Sequence, residues 1–179
     1  MDLESFTLEY IKNKKLKWLE NRVYDWLLVV KPFIGYIIEG KKVLILTDYK
    51  RKWFSEYAIS KINSFQDNKP SFIPLFDLLK LIPQIEYATN ERHFEMIEDM
   101  ISISFDDEYI FWYVGVESDY TILTESKKDE SFFWIFDKEV YKNFYLKSLD
   151  DYLDVKLVNL VDLLNETLKA AIFGDIELE

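Results

Sequence analysis

Apolar residues along the chain follow two different periodicities. Continuous apolar runs, typical of strands buried on both faces of a parallel sheet, occupy residues 42–47, 109–114 and 131–136, and weaker runs occupy 71–76 and 143–147. Helical spacing of apolar residues occurs in the segments 2–21, 24–39, 51–64, 91–104 and 149–173. Because strands separated by helices require right-handed crossovers, we expect a three-layer α/β/α sandwich, Rossmann-like, with a mostly parallel sheet of about five strands.

Several residues mark the expected ends of these elements. Pro32 interrupts the second helical pattern and is expected to bend or restart that helix, and Gly40 is placed to end it. Pro74 weakens the strand prediction at 71–76, because proline cannot donate to a ladder. Residues 67–70 are predicted to form a loop. The last helix is expected to carry three acidic side chains in its first turn, where the helix dipole favours them: Asp150, Asp151 and Asp154.

The length of 179 residues fits a single α/β domain over 1–179. Within it we expect N-terminal helices over 1–40, alternating strands and helices over 41–148, and a C-terminal helix over 149–174. The acidic N-terminus lacks the features of a signal peptide, and the apolar stretch 26–38 is shorter than the roughly 20 residues that span a bilayer. We therefore expect a cytoplasmic protein without a membrane partner.

Charge and residue usage exclude several classes of chemistry. The chain has 22 basic and 33 acidic residues and a net charge of −11, which disfavours binding to nucleic acid through bulk charge. It has no cysteine and only one histidine, His93, which excludes thiolate zinc sites, thiol nucleophiles and histidine-rich metal sites. No catalytic apparatus is visible, and we expect neither a cofactor nor a metal.

The ends of the predicted strands are the expected place for a ligand, because open α/β sheets bind ligands beyond the carboxyl ends of their strands. A phosphate cradle after the first strand requires glycines, and residues 47–52 contain none. Arg51 and Lys52 are suited to an anion, but Asp48 opposes one. We therefore interpret Asp48 as the N-cap of the following helix.

Aromatic residues are abundant, with 14 Phe, 12 Tyr and 5 Trp. Three explanations fit this aromatic content: biased codon usage, filling of the core, and protein interfaces. The candidates for an interface are Trp18, Trp26, Tyr49 and Trp53. Two hypotheses remain open. One is an interaction protein that uses its surface, and the other is a binder or isomerase of a small phosphorylated sugar. The absence of a glycine-rich loop favours the first.

Four motifs resemble the HobA family of bacterial DnaA-associating proteins. They are Asp48-x-x-Arg51-x-Trp53-Phe54, Phe111-Trp112-x-Val114-Gly115, Ser131-Phe132-x-Trp134-x-Phe136 and Leu149-x-x-Tyr152. Each motif is weak alone, but their order and spacing agree over almost the whole chain, least well between residues 76 and 91.

The resemblance implies a fold like that of the sugar isomerase (SIS) domain and a homotetramer built as a dimer of dimers. It also implies a non-enzymatic regulator of DNA replication initiation. Such a protein binds the N-terminal domain of the initiator DnaA and promotes DnaA assembly at the origin. A tetramer that offers several copies of one docking surface would gather DnaA molecules by raising their effective concentration.

We place the DnaA docking site at the strand-end turn, with Tyr49 and Arg51 beside Asp77 and Leu78. A different set of motif residues is expected to build the fold or the subunit contact: Asp48, Trp53, Phe54, Trp112, Gly115 and Trp134. The apolar helix 24–38 is expected to be buried at a subunit interface or in the core.

Overall fold

The computed structural model describes residues 1–64 and 72–178. Within them the sheet has four strands, which are β1 Lys42–Thr47, β2 Leu75–Asp77, β3 Tyr109–Val116 and β4 Phe132–Phe136. The strand order is β2-β1-β3-β4 and every pairing is parallel. The α/β class and the parallel sheet are confirmed, with one strand fewer than expected.

Helices cover both faces of the sheet and confirm the three-layer arrangement. They are α1 Leu3–Lys14, α2 Lys17–Glu20, α3 Val23–Ile38, α4 Lys52–Ile62, α5 Leu78–Leu81, α6 Glu91–Phe105 and α7 Leu153–Ile172. Short 3₁₀ segments span Tyr49–Arg51, Pro83–Tyr87 and Asp119–Lys127. One core joins α1, α3, α4 and α7 to the sheet, and a second core on the other face joins α5 and α6 to it. None of the helices in the described residues is long and apolar enough to cross a membrane.

Alternate residues of the strands fill the two cores, as the pleat requires. Much of the aromatic load packs in the first core, where Phe33 stacks on Phe132 with ring centroids 4.1 Å apart. Trp26 lies fully buried in the same cluster, 6.0 Å from Trp134 and 5.6 Å from Phe144. The interface hypothesis is therefore wrong for Trp26, which is a core residue.

The N-terminal helices differ from the prediction at two points. The segment expected as one helix over 2–21 is divided into α1 and α2, because Lys15 takes a left-handed backbone conformation (φ 57°) that ends α1. In contrast, α3 continues unbroken through Pro32. As predicted, α3 ends before Gly40, whose φ of +92° lets Lys41 N donate to the carbonyl of Tyr36 at 3.0 Å.

The second strand is shorter than its apolar run. Residues 65–71, which include the predicted loop at 67–70, lie outside the described part of the chain. Of the described residues of the run, only Leu75 and Phe76 belong to the strand Leu75–Asp77 that pairs with β1. Pro74 has no N–H to donate and contributes only its carbonyl, which accepts from Val43 N at 2.8 Å.

The expected fifth strand at 143–147 is replaced by a side chain. Asn143 Oδ1 accepts from Ile135 N at 2.7 Å, and Asn143 Nδ2 donates to Ile135 O at 2.9 Å. The side-chain amide therefore binds the outer edge of β4 where a strand backbone was expected. The backbone of the segment contributes an isolated bridge between Asn143 and Phe133, and Asp137 N donates to Leu146 O at 2.8 Å.

The last helix begins four residues later than expected. Asp150 accepts from Tyr152 N at 2.9 Å and pairs with Lys156, which holds the chain in a turn ahead of α7. Of the three predicted acidic residues, only Asp154 lies in the first helical turn.

Candidate functional site

The strand order creates a crevice between β1 and β3. From β1 the chain crosses to β2 on one side, whereas from β3 it crosses to β4 on the other side. In open α/β sheets this reversal separates the loops that follow the two central strands, and ligands bind there. Here Asp48 follows β1, and Gly115 and Val116 end β3.

An internal ion pair closes this crevice. Asp48 Oδ1 accepts from the backbone N of Arg51 at 3.0 Å, so the predicted N-cap is confirmed for the 3₁₀ segment Tyr49–Arg51. Asp48 Oδ2 accepts from Arg51 Nη1 at 3.1 Å and from Val116 N at 2.9 Å. Asp48 and Arg51 are both buried. A phosphate placed in the crevice would meet this carboxylate, which would repel it.

Gly115 is required by the same arrangement. Its φ of +149° is rarely adopted by residues with a side chain, and a Cβ at this position would lie 2.7 Å from the Cβ of Asp48. The close approach of β3 to Asp48 therefore depends on this glycine.

Most of the motif residues are core residues. Phe54, Trp112 and Trp134 are fully buried and in mutual ring contact, with centroids 5.2 to 5.6 Å apart. Trp53 differs, because 37% of its surface is exposed on the outer side of α4.

The structure separates the four expected docking residues into two pairs. Tyr49 is 78% exposed, and Asp77 is half-buried, where it caps α5 by accepting from Lys80 N at 3.2 Å. Arg51 is only 8% exposed and Leu78 is fully buried in the second core. Of the four residues, Tyr49 therefore presents most of its surface to solvent and Asp77 presents part of its surface.

Lys52 connects the two solvent-accessible residues. Its Nζ lies 4.7 Å from the ring centroid of Tyr49, and Lys52 also lines a cavity together with Asp77. A salt bridge to Glu86 holds the ammonium group, and the hydrogen bond of that pair raises the pKa of Lys52. The patch is therefore a mixed aromatic and charged surface.

The cavity lies at the carboxyl ends of β1 and β2 and has a volume of about 160 Å³. Its lining residues are Thr47, Lys52, Ser55, Asp77, Leu79, Lys80 and Glu86. Thr47 is fully buried, and its hydroxyl oxygen has no hydrogen-bond partner among the described residues. Two ammonium groups and two carboxylates share the wall, so the lining has no net charge.

A second exposed feature adjoins Trp53 and was missed by sequence reasoning. Trp53, Asp154, Val155 and Val158 line an open apolar groove of about 490 Å³ between α4 and α7. The available signal was that Val155 and Val158 lie outside the buried stripe of α7, which includes Leu153, Leu157 and Leu160.

Together these features define a doubly wound α/β protein whose crevice is filled by its own ion pair and whose strand-end turn carries an exposed tyrosine. Residues 1–178 match the sequence profile of HobA, described as a DNA replication regulator. The DNA replication regulator protein HobA of Helicobacter pylori is 25% identical over 162 residues, which cover 90% of this chain and 87% of that protein.

Solved structures show the same fold. A chain in the crystal structure of a HobA–DnaA (domain I-II) complex from Helicobacter pylori superposes with a TM-score of 0.75 and 22% identity, covering 99% of both chains. The crystal structure of HobA from Helicobacter pylori gives a TM-score of 0.66 and 21% identity, again over 99% of both chains. The chain belongs to the HobA family of DNA replication regulators, as its motifs predicted.

Proposed function

We propose that this protein is a non-enzymatic, cytoplasmic adaptor that binds the N-terminal domain of the initiator DnaA and promotes DnaA assembly at the replication origin. The observation that carries the proposal is the crevice, which the Asp48–Arg51 pair fills while leaving Tyr49 exposed outside it. Family membership and the similarity to a HobA chain crystallised with DnaA support it.

Within the proposed docking surface, two residues contact the partner and two others hold them in place. Tyr49 and Asp77 make the contacts, because they reach solvent. Arg51 supports the turn through Asp48, and Leu78 anchors the start of α5 in the core. The exposed ring of a tyrosine is a common anchor in protein interfaces.

The proposed assembly is a homotetramer, a dimer of dimers. Two exposed apolar features are suited to subunit contacts: Tyr24 and Leu28 on the outer side of α3, and the groove beside Trp53. Several docking surfaces on one assembly raise the local concentration of DnaA without any chemical step. A monomer mass in light scattering at micromolar concentration would contradict both the tetramer and this mechanism.

The test is a calorimetric titration of the purified protein with the N-terminal domain of DnaA from the same organism. We expect saturable binding of about one domain per subunit and a loss of affinity of at least tenfold in Tyr49→Ala. Tyr141→Ala is the matched control, because Tyr141 is equally exposed at 78% and also has a lysine, Lys142, over its ring. Equal affinities of the two variants would eliminate the docking site, and the absence of binding would eliminate the adaptor function.

A second candidate function rests on Thr47. Its buried, unpartnered hydroxyl lines the strand-end cavity, where a ligand hydroxyl or phosphate oxygen would satisfy it. A small phosphorylated sugar is the ligand class, although Asp77 and Glu86 oppose its phosphate group. A thermal-shift screen with sugar phosphates tests this function. A rise in Tm that Thr47→Val abolishes supports it, and no shift with any of them contradicts it.

A further inference from the structure

Helix α6 carries apolar residues on two faces. Phe94, Ile97 and Ile101 are buried against the sheet, as expected for a helix that covers it. On the outer side, three more apolar residues recur at the i, i+4, i+7 positions of a single face: Met96, Met100 and Ile103. They are 58%, 49% and 80% exposed, and we call them the methionine stripe.

The methionine stripe has an acidic edge. Glu95 and Asp99 immediately precede Met96 and Met100, and both are exposed. Within the described residues neither carboxylate belongs to an ion pair. Two further exposed carboxylates, Asp106 and Asp107, follow the helix. The stripe therefore combines uncovered apolar surface with carboxylates that form no ion pair within the described residues, and Arg92, one turn before Met96, is the arginine beside them.

We propose that the methionine stripe docks a basic amphipathic helix of a partner protein. An amphipathic helix fits a helical stripe because its own apolar residues recur at the same spacing. Flexible methionine side chains adapt to such anchors, and unpaired carboxylates attract lysine and arginine beside them. The occupant is thus defined by apolar anchors on one side and cations on the flank.

A second copy of this chain fits the methionine stripe less well. Antiparallel pairing of two α6 helices would place the Glu95 and Asp99 edges of both copies side by side. The carboxylates of the two copies would then repel each other. The residues of the stripe also differ from the proposed DnaA docking residues. Tyr49 precedes α4, which belongs to the core on one face of the sheet, whereas α6 shares the core on the other face with Leu78.

The test uses the whole protein and a fluorescent 18-residue helical peptide with leucine on one face and lysine on the other. Fluorescence anisotropy is expected to show binding that weakens as salt rises. Two control peptides define the recognised features: a scrambled sequence that has no apolar face, and a version in which glutamate replaces lysine. Binding of either control as tightly as the basic peptide, or no binding of the basic peptide, overturns the proposal.

Two variants assign the binding to the methionine stripe. The triple substitution M96Q/M100Q/I103Q is expected to weaken binding at least tenfold, and E95Q/D99Q is expected to weaken it and flatten its salt dependence. The triple substitution L8Q/L81Q/V140Q changes three apolar residues elsewhere that are 45%, 49% and 49% exposed, and it should leave affinity unchanged. Equal effects of the two triple substitutions contradict the proposal. A lower molecular mass of the M96Q/M100Q/I103Q variant in light scattering identifies the stripe as a contact between copies and also overturns it.

Discussion

Asp48 and Asp25 each form an ion pair with a nearby arginine, but the two pairs lie in different environments. Each lies three residues from the arginine that it pairs with, Arg51 or Arg22. The Asp25 side chain is exposed, so solvent screens its pair, whereas the Asp48 carboxylate is buried and also accepts from the backbone of β3. The two pairs therefore separate the effect of burial from the effect of charge pairing.

We predict that Asp48→Asn lowers the free energy of unfolding by about 3 kcal/mol, because it leaves the Arg51 guanidinium buried without its counter-charge. Asp25→Asn is expected to cost less than about 1 kcal/mol. Urea-induced unfolding of both variants at pH 7 measures the difference. Similar losses in the two variants would show that burial does not strengthen the Asp48–Arg51 pair.

Tyr113 links stability to pH. Its hydroxyl donates to Val116 O at 2.6 Å and lies 3.0 Å from Ser118 Oγ, and burial raises its pKa to about 12. In the unfolded chain the pKa is near 10. The folded state thus holds this proton more tightly, so the stabilisation is complete below pH 10 and is lost as pH rises through 12.

We therefore predict that Tyr113→Phe costs about 1 kcal/mol at pH 8 and that this difference from the native protein shrinks between pH 10 and pH 12. Unfolding in urea at a series of pH values measures it. The control is Tyr24→Phe at an exposed tyrosine. A difference that stays constant up to pH 12 would show that ionisation of Tyr113 does not contribute to alkaline unfolding.

Two residues of the predicted docking site, Arg51 and Leu78, are buried in a way that the sequence did not predict. Arg51 and Leu78 were expected to face a partner because charged and strand-end residues are commonly exposed. Their burial depends on contacts that no local pattern contains. Arg51 is held by Asp48, which is fixed in turn by Val116 of β3, 68 residues further along the chain. Tyr49 is 78% exposed, as expected.

At the scale of elements, the sequence predicted the strands that are buried on both faces. The run 42–47 is β1 without change, and β3 and β4 differ from their predicted bounds by two residues or fewer, because a continuous apolar run specifies a buried strand. Errors occurred where one residue decides the backbone, as Lys15 does between α1 and α2, or where a side chain replaces backbone pairing, as Asn143 does beside β4.

The bonds of Asn143 lead to a prediction about the edge of the sheet. Asn143→Ala would leave Ile135 N and O without partners and remove a further bond to Lys138 O, which has a length of 2.6 Å. We expect a loss of about 3 kcal/mol in the free energy of unfolding and increased aggregation, because the uncovered edge of β4 can pair with other chains.

Urea-induced unfolding and static light scattering measure the two effects of Asn143→Ala. Asn13→Ala, at an exposed asparagine on α1, is the control. If the two variants are equally stable and equally monodisperse, the side chain of Asn143 does not protect the edge.

At the scale of the whole molecule, the net charge of −11 favours a basic partner face. We predict that the affinity for the N-terminal domain of DnaA falls as the salt concentration rises, mainly through slower association, because ions screen charges beyond about 10 Å at 0.1 M. Stopped-flow binding between low and high ionic strength measures this. A dissociation constant that does not change with salt would contradict an electrostatic contribution.

The Asp48 carboxylate ties the turn that carries Tyr49 to the backbone of β3 before any partner arrives. The turn therefore has little conformational entropy left to lose when a partner docks, and the free energy of the contacts is retained as affinity. Docking on Tyr49 should resemble the meeting of two rigid bodies, with the backbone of this turn the same before and after binding.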